Sequence, residues 1–139
     1  MTSKVFLDAN VILDLLLKRN NHNDCEAIFK MVLDKRITGY ITPSVFQVVA
    51  HWLTKAYGAK VAKDLLSDIL EELELIEVMR PILVKALKMS YDDLEDNIQY
   101  CTAQYHHIDY FVTNDLGMLK HKWEGITVIS PRKLLEVVT

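Results

Sequence analysis

The chain has 139 residues and a formal net charge of −3; 50% of its residues are hydrophobic and 25% are charged. This composition predicts a folded domain with a sizeable core and excludes a disordered chain. The longest apolar runs fall well short of the roughly 20 residues that cross a bilayer, so a membrane-spanning helix is not expected. The two cysteines, Cys25 and Cys101, lack CxxC spacing and predict reduced thiols in the cytoplasm.

Apolar runs and helical periodicities alternate along the chain. The first half predicts a strand at 4–7, a helix from Val11, a helix through 27–32 capped by Asn23 or Asp24, a strand at 37–41, and a helix from Pro43 through Leu53. The second half predicts a helix at 59–73, a strand at 75–78, helices at 81–89 and 94–105, strands at 109–113 and 126–129, and a last helix from Pro131. Strands that alternate with helices form parallel sheets, so we expect a three-layer α/β/α fold with a central, mainly parallel sheet.

Two of the predicted strands lead into acidic residues. The apolar run 4–7 is followed by Asp8, and the run 109–113 is followed two residues later by Asp115. Unbroken apolar, β-branched and aromatic runs are typical of central parallel strands, whose carboxyl ends meet at one edge of the sheet. We therefore expect Asp8 and Asp115 to lie near each other. Each also fits a local role, Asp8 as a strand-end cap and Asp115 as a turn residue beside Gly117.

A third acidic group begins the helix predicted at 94–105. Asp92, with Glu95 three residues later, fits a capping box. Apolar side chains at helical spacing predict one buried stripe, formed by Leu94, Ile98, Cys101 and Tyr105. Asp96 lies about 200° around the helix from Leu94, at about 100° per residue, so the core does not require it. Its side chain is free to point past the end of the helix.

Convergence of Asp8, Asp96 and Asp115 would bring together negative charges that repel one another unless a cation neutralises them. Hard divalent ions with oxygen ligands suit such a cluster, and Mg²⁺ or Mn²⁺ are the natural candidates. A metal held by carboxylates beside a phosphate can orient a water molecule and stabilise the leaving oxygen. The three acids therefore indicate hydrolysis of a phosphodiester bond.

Three segments resemble the signature of the PIN domain (PilT N-terminal) family. They are Asp8-Ala9-Asn10-Val11, Asp93-x-Glu95-Asp96 before a helix, and Thr113-Asn114-Asp115 after a strand. In order and spacing these segments extend over nearly the whole chain, and the resemblance is closest to small bacterial VapC-like ribonuclease toxins. It implies a single PIN-like domain over residues 1–139.

The resemblance also implies roles for the matching residues. The catalytic, metal-binding carboxylates would be Asp8, Asp96 and Asp115. Asn10 and Thr113 would orient these acids through hydrogen bonds, and Asp93 and Glu95 would support them as neighbours. The implied protein is an endoribonuclease that uses Mg²⁺ or Mn²⁺, acts on RNA, forms a homodimer and pairs with an antitoxin protein.

One part of the family pattern is missing. PIN proteins usually carry a further acid, commonly Glu, early in the helix after the second strand, whereas 42–49 contains no carboxylate. Gln47 or Ser44 could offer a neutral oxygen there, and Glu95 or Asp93 could compensate from the other side. Because metal affinity rises with ligand charge, the alternative function is a catalytically weakened PIN-fold module that binds RNA or protein without cleavage.

Other polar and aromatic residues receive local interpretations. Asp14 is assigned to a solvated helix face in preference to a supporting role at the site. Trp52 and Tyr57 are assigned to the core or a dimer surface rather than to stacking on RNA. The basic group at 120–122 is assigned to solvated surface in preference to phosphate contact. Phosphotransfer on an aspartate fits less well, because Asn10 stands where such a site needs a second aspartate.

Overall fold

A computed structural model describes residues 2–138, which contain one parallel five-stranded sheet. The strands are β1 (Ser3–Leu7), β2 (Ile37–Ile41), β3 (Glu74–Leu75), β4 (Tyr110–Val112) and β5 (Thr127–Ile129). Their order across the sheet is β3-β2-β1-β4-β5, and every neighbouring pair is parallel. The predicted α/β class with a central parallel sheet is confirmed. The chain moves outward from β1 to β2 and β3, then returns to the other side of β1 with β4, so the switch point lies between β1 and β4.

Within residues 2–138, eight helices connect and follow these strands. They are α1 (Ala9–Leu16), α2 (His22–Leu33), α3 (Pro43–Tyr57), α4 (Ala59–Glu72), α5 (Arg80–Leu87), α6 (Leu94–Tyr105), α7 (Leu116–Lys120) and α8 (Pro131–Val137). None of the helices in this part of the chain is long and apolar enough to cross a membrane.

The centre of the core is formed by β1 and β4. Val5, Phe6 and Leu7 are fully buried, as are Phe111 and Val112. The rings of Phe6 and Phe111 stack across the two strands with their centroids 4.7 Å apart. Strands buried on both faces need no polar alternation, which explains the continuous apolar runs in the sequence. This packing holds the carboxyl ends of β1 and β4 in a fixed relation to each other.

Three predicted local features differ from the structure. The third strand ends at Leu75 rather than at residue 78. Its partner β2 ends at Ile41, just before α3 begins, so residues after Leu75 have no strand to pair with on that side. Neither Asn23 nor Asp24 caps α2, because that helix already begins at His22 and both residues lie in its first turn. The short helix α7 was not predicted, since five residues are too few for a periodic pattern.

The buried face of α6 also differs from the predicted stripe. Leu94 is 53% exposed and Tyr105 is 50% exposed, whereas Cys101 is buried as predicted. The other fully buried side chains of this helix are Asn97, Tyr100, Thr102 and Ala103. Tyr100 and Ala103 belong to the main core, while Cys101 packs with Ile82 and Ala86 of α5. The predicted stripe is wrong because it assumes that α6 buries one face, whereas this helix packs against both the main core and α5.

Candidate active site at the carboxyl edge of the sheet

The carboxyl ends of β1 and β4 bring Asp8 and Thr113 together. Leu7 is opposite Val112 in the parallel register, and the Asp8 N–H donates to the Val112 carbonyl at 3.0 Å. The next residue of β4, Thr113, is fully buried and its Oγ1 donates to Asp8 Oδ2 at 2.8 Å. Ligand sites of open α/β sheets lie in this position, outside the carboxyl ends of strands at a switch point.

Asp8 is held by hydrogen bonds at both carboxylate oxygens. The N–H of Ala9 donates to Oδ1 at 2.8 Å, so Asp8 also caps α1. Asn10 Nδ2 donates to Asp8 Oδ2 at 3.3 Å and to Thr113 Oγ1 at 3.2 Å. Asn10 and Thr113 thus both donate to the Asp8 carboxylate, and their role of orienting it for catalysis stays a prediction.

Asp115 lies beside this network as the cap of α7. Its N–H donates to Thr113 Oγ1 at 3.0 Å. Its Oδ1 accepts from the N–H groups of Gly117 at 2.7 Å and Met118 at 3.2 Å. Asp115 is therefore more than the turn residue that the alternative interpretation described, because its carboxylate caps a helix. Thr113 connects the two acids, since its hydroxyl contacts Asp8 and the Asp115 backbone.

The start of α6 contributes the third acid. Asp93 caps this helix by accepting from the Asp96 N–H at 3.0 Å. The predicted capping box of Asp92 with Glu95 is therefore wrong by one residue. The helix begins at Leu94, so the capping residue is Asp93 and not Asp92. Asp96 is half-buried, and its Oδ2 is enclosed without a hydrogen-bond partner among the described residues.

The predicted acids share one open groove of about 830 Å³. Its lining includes the five carboxylates assigned to the site from the sequence, together with the amide assigned to support them: Asp8, Asn10, Asp93, Glu95, Asp96 and Asp115. Thr113 lies behind the groove and acts through its hydrogen bonds to Asp8 and Asp115. The structure thus brings together residues that are separated by up to 107 positions in the sequence (115 − 8).

The carboxylates in the groove disfavour one another's charged forms. Burial raises the pKa of Asp96 to about 7, and the negative charges of Asp93, Asp8, Asp115 and Glu95 add to this effect. Burial also raises the pKa of Asp8, despite the hydrogen bonds it accepts from Thr113, Ala9 and Asn10. A positive charge in the groove would relieve this repulsion.

The donor set fits a hard divalent cation that keeps part of its water shell. All the acidic donors are carboxylate oxygens, and Asp96 Oδ2 is buried and unpaired among the described residues. Across residues 2–138, however, no group of three or more His, Cys, Asp or Glu side chains is arranged to enclose an ion. Water would therefore complete the coordination, which is usual for Mg²⁺ and related ions.

The opposite wall of the groove, on α3, is neutral. Ser44 and Gln47 line it, as the sequence suggested for neutral oxygens, while Asp93 and Glu95 line the other side. Gln99 of α6 donates from Nε2 to Ser44 Oγ at 2.6 Å and accepts from Thr42 Oγ1 at 2.8 Å. The Ser44 hydroxyl is thus already engaged, whereas Gln47 is exposed to the groove.

Two further side chains of α3 line this groove. His51 and Trp52 stand on its wall, and Trp52 is 45% exposed. Tyr57, at the end of α3, is also exposed, and its hydroxyl donates to the Leu16 carbonyl at 2.6 Å. The core alternative for Trp52 and Tyr57 is therefore wrong, and the dimer surface stays a prediction.

Behind the groove lies a hydrogen-bonded layer built on Asp14, for which the sequence analysis preferred a solvated face over a supporting role. This residue is only 6% exposed, so the predicted solvated face is wrong. Asp14 Oδ2 accepts from Asn114 Nδ2 at 2.5 Å and from Asn21 Nδ2 at 3.3 Å. The Asn114 N–H in turn donates to Asn10 Oδ1 at 3.0 Å. The spacing of Asn10 and Asp14, four residues apart on one helix face, was the available signal.

We expect Asp14→Ala to lower the free energy of unfolding by about 1–3 kcal/mol, because it leaves the amide of Asn114 without its acceptor in a half-buried position. Urea unfolding followed by circular dichroism measures this change. Asp68→Ala is the matched control, since Asp68 is exposed on α4, and it should alter stability by less than about 0.5 kcal/mol. Equal effects of the two substitutions would contradict a structural role for Asp14.

The chain is similar to known proteins over most of its length. The chain is 26% identical over 132 residues to Ribonuclease VapC1 of Aquifex aeolicus (strain VF5), an alignment that covers 91% of each protein. Its fold is similar to a chain of VapBC2 from Rickettsia felis bound to a DNA fragment from their promoter, with a TM-score of 0.69, 14% identity, and coverage of 91% of this chain and 97% of that one.

A chain of a toxin-antitoxin complex from Klebsiella pneumoniae is similar too, with a TM-score of 0.66, 20% identity, and coverage of 91% of this chain and 97% of that one. At these identities the two structures establish the fold alone. Residues 4–117 match the family model described as PIN domain, and this span contains each of the three acids at the sheet edge. The chain therefore belongs to the PIN domain family.

Proposed function

We propose that this protein is a metal-dependent endoribonuclease that hydrolyses RNA phosphodiester bonds and serves as the toxin of a toxin–antitoxin pair. The observation that carries the proposal is the acidic groove, in which Asp8, Asp96 and Asp115 face a common space. The relative named Ribonuclease VapC1 and the toxin-antitoxin complex with a similar fold support the same function. An antitoxin protein and a second copy of the chain are the proposed partners. The cytoplasm stays the predicted compartment, since Cys25 and Cys101 are both free and buried.

Asp8, Asp96 and Asp115 would hold Mg²⁺ or Mn²⁺, with Asp93 and Glu95 adding negative charge nearby. When bound, the ion supplies a Lewis acid that activates water and neutralises charge on the phosphate. Asn10 and Thr113 keep the Asp8 carboxylate in one orientation through their hydrogen bonds to Oδ2. Preorganised ligands of this kind bind a cation without first losing side-chain freedom.

The test is cleavage of a mixed cellular RNA pool by the full chain, with MgCl₂ or MnCl₂ and with excess EDTA. We expect internal cuts in the presence of either metal and intact RNA in EDTA. Cleavage that persists undiminished in EDTA would contradict metal dependence. Saturable RNA binding that is indifferent to EDTA, without any cleavage, would identify the non-cleaving module instead.

The neutral α3 wall gives a separate prediction for cation affinity. Gln47→Glu adds a carboxylate to the groove at the wall that lacks one, and we expect it to tighten Mn²⁺ binding by about tenfold, since ligand charge raises affinity. Isothermal titration calorimetry measures the dissociation constant without any RNA. Asn23→Asp, which adds the same charge at an exposed position of α2, is the control and should leave it unchanged. Unaltered affinity in Gln47→Glu would place the cation away from this wall.

A further inference from the structure

On its described lining, the acidic groove has no permanently positive side chain to hold RNA phosphates. Among the described residues that line it, none is a lysine or an arginine. Contacts between Lys or Arg and phosphates supply most of the affinity of proteins for nucleic acids. A groove with five carboxylates repels an RNA strand unless basic side chains nearby attract it. The proposed cation would attract the phosphate beside it, and basic side chains close to the groove would be needed to attract the rest of the strand.

A second cleft, of about 440 Å³, has the required charge. It is lined by the end of α5, by α6, and by the segment after α7. Four basic side chains line it, Lys85, Lys88, His121 and Lys122, against one acid, Glu124. Lys88 and Lys122 are exposed and form no ion pair within residues 2–138. Their charges are available to a ligand.

The cleft also contains aromatic rings that are locked in place. Trp123 is partly exposed in the cleft, and its ring stacks against the buried ring of Tyr100 with centroids 4.4 Å apart. Trp123 Nε1 donates to the Met118 carbonyl at 2.9 Å, and the Tyr100 hydroxyl donates to the Ile126 carbonyl at 3.2 Å. Basic side chains around fixed aromatic rings are the usual composition of surfaces that bind single-stranded nucleic acid.

Two helices, α6 and α7, connect this cleft to the acidic groove. On α6, Asp96 faces the groove, and Tyr100 and Gln104, four and eight residues later on the same helix face, line the cleft. On the other side, α7 runs from Asp115 to the basic segment 120–122. Six residues at 1.5 Å of helical rise correspond to about 9 Å, so Asp115 and His121 lie at the two ends of the same short helix.

Tyr91 occupies the junction between the two sites. Its ring lies 4.6 Å from the His121 ring and 5.0 Å from the Trp123 ring. It also approaches the first turn of α7 so closely that a Cβ on Gly117 would lie 2.8 Å from the Tyr91 hydroxyl. A continuous row of rings therefore leads from the cleft to the helix that Asp115 caps.

We propose that this cleft is a subsite for single-stranded RNA, in which Lys88 and Lys122 bind phosphates while the partly exposed ring of Trp123 contacts a base of the same strand. The inference rests on the proposed ribonuclease function and names the surface that positions its substrate. It also revises the interpretation of the 120–122 segment as solvated surface.

The test is binding of a short fluorescein-labelled oligouridylate to the full chain in EDTA, followed by fluorescence anisotropy over a range of NaCl concentrations. We expect Lys88→Glu/Lys122→Glu to weaken binding about tenfold or more, and to reduce the slope of log K against log salt by about 1.4, or about 0.7 for each lost contact. The matched control is Lys60→Glu/Lys63→Glu, which makes the same change of net charge on the exposed face of α4. It should bind almost as the wild type does.

A second measurement does not depend on charge reversal. In the Trp52→Phe variant, Trp123 is the remaining tryptophan, and the oligouridylate should quench its fluorescence at the concentrations that saturate anisotropy. Absence of quenching, equal losses in the two double variants, or equal affinity for a DNA duplex of the same length would each overturn the subsite. If the wild type cleaves RNA and the double variants bind alike, the subsite alone is wrong. If the cleft binds RNA but no metal supports cleavage, the proposed function is wrong and the subsite stands.

Discussion

Replacing Asp96 with asparagine should raise the melting temperature of the metal-free protein at neutral pH while abolishing RNA cleavage. Burial, and then the neighbouring carboxylates, raise the pKa of Asp96 to about 7 in the folded chain, against an ordinary value of 3.8. The contribution of this group to stability is thus fully present below about pH 4 and is lost as the pH rises through about 7. Above pH 7 the folded state contains an unfavourable charge that asparagine lacks.

The expected increase is about 3–6 °C at pH 8 in EDTA, and it should vanish near pH 4, where the wild-type carboxyl is protonated. Differential scanning fluorimetry at both pH values measures it. Asp92→Asn is the control, because Asp92 is exposed one residue outside the capping aspartate and does not line the groove. A decrease at pH 8, or an equal shift at both pH values, would show that Asp96 carries no such charge penalty. If Asp96→Asn is more stable and still cleaves RNA at the wild-type rate, Asp96 does not bind the catalytic metal.

Replacing Asp8 with asparagine should reduce RNA cleavage by more than about 100-fold, since even groups that only orient metal ligands are worth about 10–100-fold. The asparagine keeps the size of the side chain but removes a charge that the proposed cation requires. Its amide would also face the donors of Asn10 and Thr113, which now serve Asp8 Oδ2. Initial rates on the RNA pool, at fixed MnCl₂, give the ratio.

Asp109→Asn is the matched control for this substitution. Asp109 lies at the opposite end of the same two strands, where its Oδ2 accepts from the Lys4 N–H at 2.8 Å. This variant loses a carboxylate next to the central strands without touching the groove, so it should cleave at nearly the wild-type rate. Full activity in Asp8→Asn, with a circular dichroism spectrum like that of the wild type, would remove Asp8 from the proposed site.

The parts of the molecule predicted well from the sequence depend on local patterns. The apolar runs around residues 4–7 and 109–113 are typical of buried strands, and helices between strands favour parallel pairing. Once β1 and β4 are central parallel strands, their carboxyl ends place Asp8 and Asp115 at one edge. Asn10 and Thr113 follow, because each lies within two residues of one of these acids. The catalytic and metal-binding roles of the residues stay predictions.

The parts predicted poorly depend on which surfaces meet. Asp14 is a charged residue, which favours a solvated helix face, but it is buried where the segments after α1 and after β4 bring Asn21 and Asn114 against its carboxylate. The stripe of α6 differs because this helix packs against both the core and α5. The periodicity of apolar residues in one helix does not predict that a second element packs against another of its faces.

The sequence by itself determined the fold class and two of the three acids at the sheet edge, because strand burial and parallel pairing follow from short-range patterns of apolar residues. Only the tertiary structure decided that α6 brings Asp96 to the same groove, that this groove raises its pKa, and that Lys88 and Lys122 meet around Trp123. Distances between remote side chains and their burial depend on helix packing, which many residues determine jointly. The charge of a carboxylate depends on that packing too, because both burial and neighbouring charges set its pKa.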